Sequence, residues 1–286
     1  MTTYLVTGAS GHLGRLTVQA LLDRGVTPAD VVATARNTDA IADLAALGVD
    51  TRAADYTDAA SLKEAFAGVD RALLVSSSAV GERVAQHANV IEAARDAGVE
   101  LLGYTSITRA DSSRMLLAEE HRLTEELLAA SGLPTVLLRN SWYIENYTAQ
   151  AATALEHGAV LGAAGEGRVS AATRADFAAA AAAVLVADDQ AGLVYELGGD
   201  TAFTLEEYAA ALAAESGTPV VYRDLPAADY SAVLVGAGLP EQYAAILADS
   251  DLGLARGDLL TDSGDLSRLI GRPTTAPAEA IRAALA

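Results

Sequence analysis

The segment Val6-Thr7-Gly8-Ala9-Ser10-Gly11-His12-Leu13-Gly14 decides how this chain is read. Tyr4-Leu5-Val6 is a short apolar run, and Leu13, Leu16, Ala20 and Leu21 recur at helical spacing, so the glycines occupy a strand-to-helix turn. Such a turn aims unpaired N–H groups and the positive end of a helix at an anion. Gly8 permits the tight turn, Gly11 lets a pyrophosphate approach the backbone, and Gly14 lets helix and strand pack closely. Three glycines alone are a weak signal. Their place at the first strand–helix junction makes them a dinucleotide site, with Gly8, Ala9, Ser10, Gly11, His12 and Leu13 in contact with the ligand.

Outward from the loop, strands are expected at 31–33, 50–54, 72–75, 101–104 and 135–138, with helices at 39–47, 59–67, 82–97 and 117–131 between them. Gly25, Gly48, Gly68, Gly98 and Gly132 fall near the helix C-termini, where a left-handed cap is needed. Strand and helix in regular alternation imply a doubly wound parallel sheet of the Rossmann type, covered on both faces, over residues 1–150. After Asn140 the rhythm changes. An Ala-rich helix is expected at 177–186, its small side chains suited to close approach, then a strand at 193–197. Thr204 and Glu207 have capping-box spacing ahead of a helix at 205–215. A strand at 220–222 and helices at 226–236 and 240–248 complete a smaller C-terminal α/β domain, 151–286, on the substrate side. Its residues 170–200 are expected to pack back on the sheet.

Composition narrows the function. Half of the 286 residues are apolar, enough for a sizeable core. The formal net charge of −19 argues against nucleic acid and against anionic lipid. There is no cysteine, which removes thiolate nucleophiles and cysteine-held zinc and suits a reducing cytoplasm. His12, His87, His121 and His157 have no metal-ligand spacing, so no metal is expected. The apolar run Phe177–Ala187 is too short to span a bilayer, and the N-terminus lacks the pattern of a signal peptide. A cytoplasmic location is therefore expected, with no membrane partner.

The end of the second strand selects the dinucleotide. NAD sites place an acid there for the ribose 2′-OH, whereas here it is Arg36. Arg36 can fork onto a 2′-phosphate and Arg15 can add a second charge, which favours NADP(H). Either arginine can instead be an ordinary surface cation. Asp55 ends the third strand and Ser76-Ser77-Ser78 the fourth, both at the carboxyl edge that borders the cofactor crevice. A cap or a plain serine turn is the simpler account of each. Many short-chain dehydrogenases move a proton with a Tyr-x-x-x-Lys pair. The only lysine is Lys63 and position 59 is alanine, so this chain has no such pair. A quinone acceptor tolerates that absence, because hydride reduction leaves a weakly basic phenolate. Absence of catalysis altogether is equally compatible with it.

Several further segments carry a family resemblance: Ser76-Ser77-Ser78, Gln86-His87-x-Asn89-Val90-Ile91, Tyr104-Thr105-Ser106, Leu138-Arg139-Asn140-x-Trp142-Tyr143-x-Glu145-Asn146-Tyr147, Ala171-x-Thr173-Arg174-Ala175-Asp176 and Leu269-Ile270-Gly271-Arg272-Pro273. With the glycine loop, they make the chain resemble the NmrA-like atypical short-chain dehydrogenases over essentially its whole length. Within that branch it is similar to the bacterial type 2 NAD(P)H:quinone oxidoreductases. The resemblance implies that Asn140, Ser141, Trp142, Tyr143, Ile144 and Glu145 lie along the nicotinamide half of NADPH, with Arg174 approaching the cofactor. It also implies that Tyr143 and Asn146 hold a quinone oxygen, with Tyr104 behind them. Trp142 and Tyr143 can equally be core residues. Some relatives carry a lysine on the helix at 117–131, where this chain has Glu119, Glu120, His121 and Glu125; His121 is either a proton source or a structural histidine. A triphenylmethane-dye reductase and a non-catalytic NADP(H) sensor of the NmrA type remain as alternative functions.

Overall fold

A computed structural model describes residues 1–286. In chain order the elements are β1 (Tyr4–Val6), α1 (His12–Asp23), β2 (Val31–Ala35), α2 (Ala42–Ala46), β3 (Asp50–Ala53), α3 (Ala59–Ala65), β4 (Arg71–Leu74), α4 (Arg83–Ala97), β5 (Leu101–Ile107), α5 (Leu116–Ala130) and β6 (Thr135–Asn140). There follow α6 (Glu145–Thr148), α7 (Ala151–His157), β7 (Ala159–Gly162), α8 (Arg174–Val186), β8 (Val194–Leu197), α9 (Leu205–Ser216), β9 (Val221–Asp224), α10 (Ala227–Gly236), α11 (Glu241–Arg256), α12 (Asp265–Ile270) and α13 (Pro277–Leu285). They divide into two compact units. One holds Met1–Ile107, Glu120–Arg139 and Arg174–Tyr195; the other holds Thr108–Glu119, Asn140–Thr173 and Glu196–Ala286.

The sheet of the first unit runs β3-β2-β1-β4-β5-β6-β8, and the pairs β3–β2, β2–β1, β1–β4 and β4–β5 are parallel. Strand order reverses between β1 and β4, the switch point where doubly wound sheets bind ligands beyond their carboxyl ends. On one face α3 packs with α4 over a core of Leu62, Phe66, Val90, Leu102 and Leu128. Elsewhere in this unit α8 lies along α1, and Ala178, Ala180, Ala181 and Ala182 of α8 are buried, as small side chains at a close helix contact require. Gly98 takes the left-handed cap expected of it, with φ of 73°.

The second unit carries a parallel pair, β7 with β9, covered by α9. Thr204 and Glu207 form the reciprocal capping box at the start of α9. Helices α10 and α11 pack as a pair, and α13 packs on α9 and on α6. No helix is long and apolar enough to cross a membrane.

Candidate active site

The glycine loop is shaped for an anion. Gly8 sits at φ of +60°, and its carbonyl accepts the Gly11 N–H at 2.9 Å. The Ala9 N–H donates to the Thr34 carbonyl at 2.8 Å, so the loop is tied to β2 and this amide is already used. Gly11 caps α1 without a side chain, and Ser10, Gly11 and His12 are exposed. The first-turn amides of α1 thus face outward with no capping side chain, which is what a phosphate needs. A Cβ at Gly14 would lie 2.5 Å from the Gly8 carbonyl oxygen, so only glycine lets α1 start this close to the turn. A pyrophosphate fits this cradle.

Arg36 follows β2 and is exposed. Thr57 donates to the Asp55 carboxyl from both its N–H and its hydroxyl and holds that pKa below the usual carboxylate range, with the charge of Arg36 adding to the effect. Arg15 is otherwise engaged. It pairs with Asp43 and donates to the Ala40 carbonyl at 2.6 Å.

Ser76, Ser77 and Ser78 follow β4, beside the glycine loop's own strand, and a buried polar network fixes them. Ser76 N–H donates to Thr105 Oγ1 at 2.8 Å and Ser77 N–H to His87 Nε2 at 3.0 Å. Gln86 accepts from the Ser77 hydroxyl, and Arg83 Nε donates to the Ser77 carbonyl. Burial, helped by the Arg83 charge, lowers the His87 pKa to about 3, so the ring is neutral. Since Nε2 accepts, the proton belongs on Nδ1, which donates to Thr124 Oγ1 at 2.9 Å.

One expectation needs correcting here, and of the two readings of His121 the structural one holds. Tyr104, expected behind the acceptor, is 0 % exposed in the core of the first unit, and its hydroxyl contacts His121 Nδ1 at 2.7 Å. It presents no surface to a substrate. His121 is no proton source near neutral pH, because burial and the facing Arg83 guanidinium depress its pKa well below the usual value. Arg174 opens α8, half-buried, two residues before the buried Asp176.

The segment after β6 belongs to the second unit. Ser141 N–H donates to the Leu197 carbonyl at 2.8 Å, and its hydroxyl donates to Leu259. Tyr143 bridges to Ala172, and Ile144, 1 % exposed, donates its N–H to the Ala172 carbonyl. These bonds fix the backbone of the segment. Asn140 is buried and its Oδ1 has no hydrogen-bond partner, an acceptor left over for a ligand N–H. Trp142 and Asn146 line a cavity of about 370 Å³ with Tyr147, Tyr208, Tyr230, Val233, Leu234 and Asp251. Glu145 starts α6 and is half-buried.

The sequence profile of the NAD(P)H-binding family matches residues 8–188. The chain belongs to this family. Quinone oxidoreductase 2 of Escherichia coli (strain K12) is 50% identical over 276 residues, 96% of each chain. The crystal structure of the E. coli NADPH-dependent quinone oxidoreductase in complex with NADPH superposes with a TM-score of 0.96 at 48% identity, covering 99% of this chain and 100% of that one. The Citrobacter triphenylmethane reductase complexed with NADP(H) superposes with a TM-score of 0.93 at 35% identity, covering 99% and 100%. The family resemblance read from the sequence is thereby established.

In this NAD(P)H-binding protein several site residues lay outside the sequence reading. Tyr56 donates to the Val75 carbonyl at 2.8 Å and would stand 3.8 Å from a Cβ at Gly8, so it buttresses the loop. Arg83, His87, Thr105 and Thr124 hold the serine turn. Tyr208, Tyr230 and Asp251 shape the cavity. Of these, His87 and Thr105 lie in the quoted family segments, which was the available signal.

Proposed function

We propose that this NAD(P)H-binding protein is an NADPH-dependent quinone reductase that carries out two-electron reduction to the hydroquinone. The observation that carries the reading is full-length identity of 50% to a quinone oxidoreductase, with 96% of both chains aligned. Bound NADPH supplies the hydride. The chain's own residues do the rest. The amides at the start of α1 receive the pyrophosphate, and Arg36 takes the 2′-phosphate. Asn140 Oδ1 accepts an N–H from the carboxamide, and Arg174 adds positive charge on the cofactor side. Trp142, Tyr143 and Asn146, with α10 and α11 of the second unit, form the acceptor side, where the mostly apolar cavity excludes water and orients a flat ring. A cysteine-free chain of this chemistry suits the cytoplasm.

Mixing the protein with NADPH and 1,4-benzoquinone should bleach the near-ultraviolet band of NADPH faster than a protein-free blank. NADPH binding without any protein-dependent bleaching would instead identify a cofactor sensor. Cofactor choice has its own test. Arg36→Ala should weaken NADPH about tenfold while leaving NADH nearly unchanged, as loss of one charge-assisted contact predicts. An unaltered NADPH-to-NADH affinity ratio, read by calorimetry, rules Arg36 out as the selector.

A further inference from the structure

Helix α10 packs with α11 and lines the cavity with an apolar seam. Tyr230, Val233, Leu234 and Ala237 recur at i, i+3, i+4 and i+7 and all line the cavity, yet no residue of the helix is buried. A seam left facing an open cavity of about 370 Å³ is one that a ligand covers.

Asp251 of α11 supplies a carboxyl to the same cavity. It is 8 % exposed, its Oδ2 accepts the Ala163 N–H at 2.7 Å, and no cation pairs with it. The titratable groups facing it are Tyr147 of α6, Tyr222 and Asp224 of β9, and Tyr230 of α10. His157 and Arg223 stand in exposed parts of the cavity wall. A lone buried carboxylate with one amide donor is poorly compensated. Burial raises its pKa to about 6; the Ala163 N–H opposes this and the charge of Asp224 reinforces it. Tyr208, on another wall, keeps a buried hydroxyl with no partner. Polar groups so placed in an apolar cavity mark a binding site rather than a packing solution.

We propose that Asp251 is the acid of the acceptor pocket: its carboxyl hydrogen-bonds one carbonyl oxygen of a flat, uncharged quinone and passes its proton to that oxygen as the ring is reduced. This rests on the quinone-reductase reading above. Hydride, carrying two electrons from the nicotinamide C–H bond of NADPH that breaks as the cofactor is oxidised to NADP+, forms a bond to the other carbonyl oxygen, and the displaced pair moves through the ring to the oxygen facing Asp251. The carboxyl O–H breaks as the hydroquinone O–H forms. The carboxylate then accepts a hydrogen bond from the product and regains its proton from water. A phenolate holds a proton at a pKa of about 10, so the transfer runs downhill. Asp251 thus fills the place left by the missing Tyr-x-x-x-Lys pair, and its charge disfavours anionic acceptors.

The variant Asp251→Asn keeps the shape and an acceptor for Ala163 but has no proton to pass on. With 1,4-naphthoquinone its kcat should fall at least about tenfold while KM changes little. Wild-type kcat should decline as pH rises through about 6, and the variant should lack that limb. Trp142, the one tryptophan of the chain, lines the cavity, so its fluorescence reports quinone binding without NADPH. Neutral naphthoquinone should quench both proteins alike, whereas a sulfonated one should bind the wild type far more weakly and gain on the variant. A raised carboxyl pKa means the native state loses stability as pH climbs from about 4 to about 6, so the variant should melt no lower at pH 8. An unchanged kcat and pH profile, or a lower melting point with activity lost at every pH, overturns the assignment. A wild type that reduces no quinone sinks the underlying reading instead.

Discussion

Replacing Gly14 with alanine is expected to weaken NADPH binding by about 10–100-fold and to lower the melting temperature. The added Cβ would lie 2.5 Å from the Gly8 oxygen, 2.8 Å from the Gly8 carbonyl carbon and 3.0 Å from Ala9 Cα, all of them backbone atoms. None can withdraw easily. The Gly8 carbonyl is held by the Gly11 N–H, and Ala9 is bonded to Thr34 of β2. Helix α1 must therefore back away from the loop, against α8 packed along it. Its first-turn amides move with it and leave the phosphate position. Overpacking of this kind costs about 1–3 kcal/mol, which is the affinity loss stated when it falls on binding. Gly11→Ala is the matched comparison for folding alone: its Cβ meets protein only at the Gly8 oxygen, 3.3 Å away, so it should melt near the wild type even though it crowds the pyrophosphate position. Calorimetry with NADPH and a thermal melt separate the two variants. Equal affinity in wild type and Gly14→Ala would mean that the pyrophosphate binds elsewhere.

The same local rules explain what could be read from the sequence. The glycine loop, the strands from β1 to β6 and the capped helices between them are written in short-range signals: apolar runs, helical periodicity and a glycine at each helix end. The helix expected at 39–47 is split by a 3-10 turn at Thr38–Ile41, a boundary effect within that scheme. The second unit is written at longer range. Ala159–Gly162 is four residues long and gains its strand character only from Val221–Asp224, some sixty residues on. The segments that became α6, α7, α12 and α13 are short, and tertiary packing rather than propensity decides them. Helix α11 runs to Arg256, well past the expected end at 248, because buried contacts of Ser250, Asp251 and Leu254 sustain it.

The site divides along the same line. Gly8 to Leu13 and the 140–146 segment stand out as local motifs, and Arg36 by its place after β2, which is how they enter the candidate site. Nothing local distinguishes Asp251 among 38 acidic residues, and only its burial beside Tyr147, Tyr222 and Tyr230 sets it apart. Tyr104 shows the opposite error. A motif places it near a site, but its neighbours His87 and His121 make it part of the scaffold under the serine turn. Motif membership identifies a region, and burial decides whether a side chain touches the ligand or supports the residue that does.

Glu125→Ala should destabilise the first unit by about 3–5 kcal/mol, the largest loss expected from a single change outside the glycine loop. Arg139 of β6 grips the Glu125 carboxylate with two bonds, Nη2 to Oε2 at 2.6 Å and Nε to Oε1 at 3.0 Å. Both side chains are only 10% exposed, so solvent screens the pair little. Ser106 of β5 donates its hydroxyl to the same carboxylate, which therefore joins α5 to two neighbouring strands. Removing the acid takes away two charge-assisted bonds from a buried guanidinium, and losing one partner of such a pair costs more than the pair itself contributes. Urea unfolding should show the midpoint moving with little change in slope. The double change of Glu125→Leu with Arg139→Met should recover much of the loss, because an apolar pair avoids desolvating either charge. If the single variant unfolds like the wild type, the guanidinium has found water or another acid, and the pair is not what fixes α5 against β6. Arg139 stands one residue before Asn140, so drift in this strand would also move the orphaned amide oxygen proposed to meet the cofactor; NADPH affinity should therefore fall in Glu125→Ala and return in the apolar double variant.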